Sequence, residues 1–433
     1  MTTREQAIEA AQQWINGGRP EEEWRGIGVH EFDLGWVLWA DQRPAVADPV
    51  TGERRVPAEV GSACAVVDRV TGELSTWPSV PVEEVVRLYR DRLGAGSFDP
   101  ALPPVTGPGS TAVLTYRDAG GEERSLFLPS GPGLGHPEVR AWRELRGRGV
   151  RPEDVVAVHT DLRPCELPGG YCAAVLLAEL PVASFSYGQD YGPRFDRRAA
   201  GVRALTESTE RLFRGAGRAV PPRPNRVPFP RVVPAVGPEG DGVLGERLAG
   251  RFGAGGVHRF GAVELAGSGL PEAARGVLLG AGLPVRVEGF FEVLPGLGDV
   301  AGHLAAVGRG GRVPERARAV LGEYVLVGTD GHALIAVQCG DGGTGTGVGV
   351  GRVWAVDPDS GSGRYLNADL SSFVRCLVLY AERRPALRGL DPFAAGAAVE
   401  VLQRELAALD GTVFGDPENW WAVVVEQHWD GLL

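Results

Sequence analysis

The sequence predicts α+β segments at both ends of the chain around a central α/β segment. Three observations carry this. Two proline-rich breaks, "GSFDPALPPVTGPGS" (96–110) and "GAGRAVPPRPNRVPFPRVVP" (215–234), divide 433 residues into about 95, 105 and 200 residues, each enough for its own core. The end segments place helix patterns beside runs of short alternating strands. The middle segment alternates strand and helix patterns. The 215–234 break, rich in proline and arginine, cannot form a regular helix or a central strand, and no internal repeat is present.

The first segment opens with "REQAIEAAQQWI", apolar at helical spacing. "GWVLWAD" and "SACAVVDRVTGELSTW" follow as strands, the second interrupted by a D-R-V-T-G-E hairpin signal. "PVEEVVRLYRDRL" closes it as a helix with proline near its start. In the middle segment, "TAVLTYRD" and "ERSLFLPSG" read as strands. The helix 137–147 follows a glycine-rich loop, with Val139, Trp142 and Leu145 as its apolar stripe. "DVVAVHTDL" is a buried strand, "YCAAVLLAEL" a helix and "ASFSYGQDYG" a further strand. The last segment has helices in "GVLGERLAGRFG" and "LPEAARGVLLGAG", then strands in "VRVEGFFEVL", "YVLVGTD", "HALIAVQC" and "RVWAVDPDS". It ends in the helices "SSFVRCLVLYAE" and "DPFAAGAAVEVLQRELAALD" and a tryptophan-rich tail.

Composition narrows the function classes. Apolar content of 43% and charged content of 23% are those of a soluble globular chain. The N-terminus lacks a signal-peptide core, and no apolar stretch is long enough to span a bilayer. These features predict a cytoplasmic, reducing environment and no membrane partner. Five cysteines do not make a disulfide scaffold. Cys64, Cys339 and Cys376 lie in apolar runs and read as buried thiols. Every basic residue is arginine. The net charge of −11 divides as −7 over 1–104, +3 over 105–226 and −7 over 227–433. A mildly basic centre permits contact with nucleic acid, and acidic ends repel it.

One constellation carries chemistry. His136 and Glu138 stand at the start of the 137–147 helix, Cys165 at the end of the strand and Cys172 at the start of the next helix. Helix N-termini favour thiolate, the form that binds metal. One imidazole and two thiolates suit Zn²⁺, and three protein ligands leave a position for water. Glu138, two residues from His136, is placed for acid–base work. The plain alternative is two structural thiols and a satisfied histidine. His159, six residues before Cys165, is a rival ligand, although its strand-end position reads more simply as structural. "GDGGTGTGVGVGR" fits neither G-x-G-x-x-G nor the P-loop pattern and reads as a hairpin loop.

H-x-E followed by P-C and a second cysteine is the signature of zinc-dependent nucleobase deaminases. Residues 105–214 resemble that superfamily, especially the bacterial toxin-type nucleic acid/nucleotide deaminases. The resemblance implies a three-layer α/β/α deaminase-like domain, a zinc cofactor on His136, Cys165 and Cys172, and Glu138 as proton shuttle. Its substrate would be a nucleotide or single-stranded nucleic acid, cytosine favoured. Tyr187 and Tyr191 are candidates to stack on the base, with His159 beside them. The chain departs from the family at the cysteines, which usually have two residues between them. Here there are six, E-L-P-G-G-Y, around a Pro-Gly-Gly turn.

The flanks resemble immunity families. Residues 1–95 are similar to the YrhB-like immunity family through the opening helix, "EFDLGWVLWAD" and "SACAVVDRVTGELSTW". Residues 230–433 are similar to the SUKH superfamily through "LPVRVEGFFEVLP", "YVLVGTDGHALIAV", "GRVWAVDPDSGSGRYLNADLSSFVRCLVLY" and "ENWWAVVVEQHWDGLL". Both resemblances imply binding of a toxin protein. The chain then reads as a deaminase fused to immunity-type domains in a bacterial toxin/immunity system. The alternative is a non-catalytic immunity protein with a degenerate deaminase scaffold.

Overall fold

The computed structural model describes residues 2–17, 19–41, 46–47, 54–55, 64–69, 72, 74–77, 81–86, 89, 109–220, 226–230, 233–294, 296–341 and 349–433. It is a mixed α/β structure with several sheets, in two compact units, Met1–Asp99 and Pro100–Leu433. Among the described residues, no helix is long and apolar enough to cross a membrane.

The first unit begins with a helix, Arg4–Asn16, capped by a reciprocal pair: Thr3 Oγ1 accepts from the Gln6 amide, and Gln6 Oε1 accepts from the Thr3 amide. Strands β1 (Ile27–Phe32) and β2 (Gly35–Ala40) form a hairpin. A short pair, β3 (Val46–Ala47) and β4 (Arg54–Arg55), follows. β5 (Cys64–Asp68) and β6 (Leu74–Trp77) complete an antiparallel sheet of order β1-β2-β5-β6. Ala7, Ala11, Trp36, Leu38 and Val67 pack the helix onto one face of this sheet. The closing helix read at 81–93 is seen at residues 82–86 and 89. Its remainder and most of the 96–110 break lie outside the described residues.

The second unit holds two sheets of size. The first contains β7 (Thr111–Arg117), β8 (Glu123–Pro129), β9 (Val155–Leu162) and β10 (Ser184–Gln189), in the order β10-β9-β7-β8. β10 runs parallel to β9, and β9 and β8 run antiparallel to β7. Ala112, Leu114, Val155 and Val158 of this sheet meet Ala141, Trp142 and Leu145 of the helix Pro137–Gly147. Leu176 and Leu180, from the helix Cys172–Glu179 and its end, join the same core. A 21-residue helix, Phe195–Gly215, which the sequence reading passed over, follows β10.

Beyond it, β11 (Val257–His258) pairs with β12 (Leu283–Pro284). A six-stranded antiparallel sheet runs β13 (Arg286–Val287), β14 (Phe291–Val293), β15 (Tyr324–Thr329), β16 (Leu334–Gln338), β17 (Val353–Val356) and β18 (Gly363–Asn367), in chain order. The stretch read as one strand, "VRVEGFFEVL", is instead a hairpin. Gly289 takes a left-handed φ of +80° between β13 and β14, a conformation cheap only for glycine. The centre of the 340–352 loop lies outside the described residues. The helices Leu370–Arg383, Pro392–Leu409 and Trp420–Trp429 bury the apolar side chains of this sheet.

Candidate functional site

Three sequence features bring the site together. Pro137 sets the first turn of its helix and leaves His136 at the N-cap with no side-chain cap bond, so its ring is available to other partners. β9 ends at Leu162, and Arg163-Pro164 carries the chain to Cys165. The Cys165 carbonyl accepts from the Ala173 amide (3.0 Å), which pins the second helix start against the strand end. The intervening loop turns through Gly169 (φ +91°) and Tyr171 (φ +44°). Tyr171 is the single left-handed non-glycine among the described residues, a strain of the kind that clusters at functional sites.

His136 Nδ1 lies 3.6 Å from Cys165 Sγ, and Cys165 Sγ lies 3.7 Å from Cys172 Sγ. The three ligand atoms all lie within 4.8 Å of one another. The thiols are free, and the sulfurs are too far apart for a disulfide, which needs about 2.05 Å. A tetrahedral ion with Zn–S of about 2.3 Å and Zn–N of about 2.0–2.1 Å sets its ligands about 3.7 Å apart (S–S) and about 3.6 Å apart (S–N). The donor set therefore fits zinc in both chemistry and spacing. Gly170 closes the other side: a Cβ there would sit 2.9 Å from Cys172 Sγ, 3.0 Å from Cys165 Sγ and 3.2 Å from His136 Cδ2.

All four groups are buried, His136 and Glu138 at 5% exposure each. Glu138 Oε1 is 3.7 Å from His136 Nδ1, and its carboxylate also interacts with Cys172. Burial disfavours the imidazolium, but the Cys165 thiolate and Glu138 outweigh it and hold the His136 pKa well above the usual range. Burial likewise opposes the Cys165 thiolate, and the Cys172 hydrogen bond and His136 charge override it, so Cys165 is held well below an ordinary thiol. Cys172 is pushed well up, by burial first and by Cys165 second. Glu138 is held below the usual carboxyl range: burial raises it, and His136 more than compensates. Without a metal the four groups share protons, and a bound cation would displace those on His136 and Cys172.

The ring's far side belongs to the C-terminal helix. His136 Nε2 donates to Gln427 Oε1 (2.9 Å), and the Gln427 amide nitrogen donates to the carbonyls of Pro168 (2.8 Å) and Val423 (3.2 Å). The two carbonyl contacts fix the amide's orientation. The neutral ring, the form a metal ligand must take, therefore carries its proton on Nε2 and turns the Nδ1 lone pair toward the sulfurs. Gln427 was not singled out from the sequence, because it lies 291 positions from His136.

The remaining candidates are placed elsewhere. His159 is exposed on β9 with Nδ1 2.9 Å from Ser186 Oγ, outside the ligand cluster. Tyr187 is 49% exposed on β10, at the sheet edge. Tyr191 packs in the same buried cluster as Cys165 and Cys172, and its hydroxyl donates to Asp430 Oδ2 (3.4 Å). With 2% exposure, its ring has no open face for a base in this structure.

Comparison with known families gives three matches, in chain order. Residues 5–96 match the model described as Immunity protein 35-like domain. Residues 107–208 match Xanthomonas-like deaminase. Residues 243–427 match SUKH-4 immunity protein. No curated protein and no solved structure matches the chain. A deaminase-type domain therefore stands between two immunity-type domains, and His136, Glu138, Cys165 and Cys172 all lie within the deaminase match.

Proposed function

We propose that the chain is a zinc-dependent deaminase of a nucleobase in nucleic acid or nucleotide, cytosine favoured. It is fused to immunity-type domains that bind a toxin protein in a bacterial toxin/immunity system. The reading takes residues 105–214 as a three-layer α/β/α domain between a YrhB-like domain (1–95) and a SUKH-like domain (230–433), in a cytoplasmic, reducing setting. The observation that carries it is the fit of His136, Cys165 and Cys172 to a zinc ligand set, with a buried carboxylate beside it.

His136 Nδ1 and the two thiolates would hold the ion, which supplies polarisation of water, lowering its pKa from 15.7 to about 7. Gln427 accepts the Nε2 proton, so the neutral ring would offer Nδ1 to the ion. Glu138, held ionised, accepts the proton of the water that attacks C4 of cytosine. It passes that proton to N3, takes the second proton of the former water from the new C4 hydroxyl, and delivers it to the departing amino group. Water is consumed, ammonia leaves, and uracil results.

The test is ammonia release from single-stranded DNA, single-stranded RNA, cytidine and cytidine monophosphate by zinc-loaded protein, beside Glu138→Gln. Release by wild type, lost by at least 10²-fold in the variant, is the expected result. The burial of Glu138 and the Gln427 contact favour the second reading, a non-catalytic immunity protein. Zinc-free wild type that neutralises a toxin without releasing ammonia from any substrate would establish that one.

A further inference from the structure

The six residues between Cys165 and Cys172 have a structural use. Four of them reach the C-terminal domain. The Pro168 carbonyl accepts from Gln427. Gly169 sits against Phe290 and Leu433, where an added Cβ would lie 2.9 Å and 3.1 Å from their side chains. Tyr171 donates to Asp330 Oδ2 (2.8 Å), and its ring lies 4.8 Å from that of His332. Leu167 is fully buried in a cluster with Val423 and Leu432. A two-residue connection would offer none of these contacts.

The C-terminal helix Trp420–Trp429 is two-sided in a matching way. Trp420, Trp421, Val424, Val425 and Trp429 fill the core of the C-terminal domain itself. Val423, Glu426 and Gln427 face the deaminase-like domain instead. Val423 packs with Val139, Cys165 and Cys172, and Glu426 takes both Nε and a terminal nitrogen of the fully buried Arg198, at 3.1 and 2.9 Å. The charges agree with this docking, since the middle segment is net +3 and the last net −7. The cavity left at His136 has a volume of about 220 Å³, walled by both domains. Ligand sites commonly span about 300–1,000 Å³.

We infer that the C-terminal domain is the cis-acting partner of the deaminase-like domain. It docks on the extended Cys165–Cys172 loop and closes the site to nucleic acid, so that the immunity-type domain's target is a deaminase domain of this kind. The contacts carry this proposal independently of catalysis. Only the activity arm of its test rests on the function proposed above.

The test uses the full chain, with Val423→Glu and Leu432→Glu placing a charge in the dock and sparing the core of the C-terminal domain. In zinc-stripped protein, labelling of Cys165 and Cys172 by a thiol reagent is followed by peptide mass spectrometry. A closed state whose open form is populated at 0.1–10% predicts labelling about 10- to 1,000-fold faster in the variants. With zinc added, ammonia release from single-stranded DNA rises with it. Variants that keep their circular dichroism yet label at the wild-type rate would overturn the proposal. Faster labelling without ammonia release would support the cap and count against the deaminase function alone. Tyr171→Phe, which removes one hydrogen bond, replaces either variant that fails to fold, with a smaller rise expected.

Discussion

Arg198→Met is the sharpest probe of how the deaminase-like and C-terminal domains are joined. Arg198 is fully buried on the helix Phe195–Gly215, and its guanidinium makes paired bonds to Glu426 at 3.1 and 2.9 Å. One terminal nitrogen also donates to the Pro193 carbonyl (2.5 Å) and to Glu418 (3.2 Å). Glu426 is 1% exposed, so the substitution leaves an uncompensated buried carboxylate. Breaking a buried pair from one side costs about 3–5 kcal/mol, whereas replacing both members with apolar side chains is often near neutral. Glu418, 39% exposed, is screened by water and adds little. The expected result is a loss of about 3–5 kcal/mol for Arg198→Met and a return to within about 1–2 kcal/mol of wild type for Arg198→Met with Glu426→Met. Urea unfolding followed by tryptophan fluorescence reads this, since Trp420, Trp421 and Trp429 all lie in the adjoining core. A single variant costing under about 1 kcal/mol, or a double variant whose loss is the sum of two large single losses, would refute the reasoning.

Two other perturbations have definite outcomes. Gly170→Ala is expected to weaken zinc about 10- to 100-fold in competition with a chelator, because the methyl would stand 2.9–3.2 Å from all three ligand side chains. Gly170 is not among the left-handed glycines, so backbone strain adds nothing, and unchanged affinity would contradict the site geometry. Acidification should cost stability through His428, which burial pushes down to about 3 while it bonds the Leu433 carbonyl and Tyr380. Its folded pKa lies below the unfolded value, so the unfolded chain binds the extra proton, and stability falls as pH drops from about 6.5 toward 3. At pH 5 the loss is on the order of 2 kcal/mol. Asp430, pushed up to about 7 mainly by burial, acts in the opposite sense and gains stability over the same range. The comparison of wild type with His428→Gln at pH 7 and pH 5 isolates the histidine, and an equal loss in both would refute its role.

What the sequence made legible was local. The helix Pro137–Gly147, its apolar stripe and the positions of His136, Cys165 and Cys172 at element ends follow from periodicity, proline placement and strand length. The hairpin β7–β8 and the strands β9 and β10 follow in the expected order. What escaped was long-range or marked by weak signals. Gln427 acts on His136 across 291 positions, and no spacing rule connects a helix in one domain with an imidazole in another. The helix Phe195–Gly215 carries arginine and glutamate on its exposed face and a thin apolar stripe of Ala199, Val202 and Leu205, so its pattern is faint. The six-residue cysteine spacing departs from the family motif, and the sequence alone assigns it no use. Tyr171, Gly169 and Pro168 show it instead to be a contact surface, which only the folded partner domain reveals.

The proposed function requires that His136, Cys165 and Cys172 hold one zinc ion. Elemental analysis of protein purified without chelator tests it directly, on wild type, Cys165→Ala and Cys172→Ala. About one zinc per chain in wild type, lost in both variants while both stay folded, is the result expected of three protein ligands. Wild type without zinc, or zinc that survives both substitutions, would contradict it.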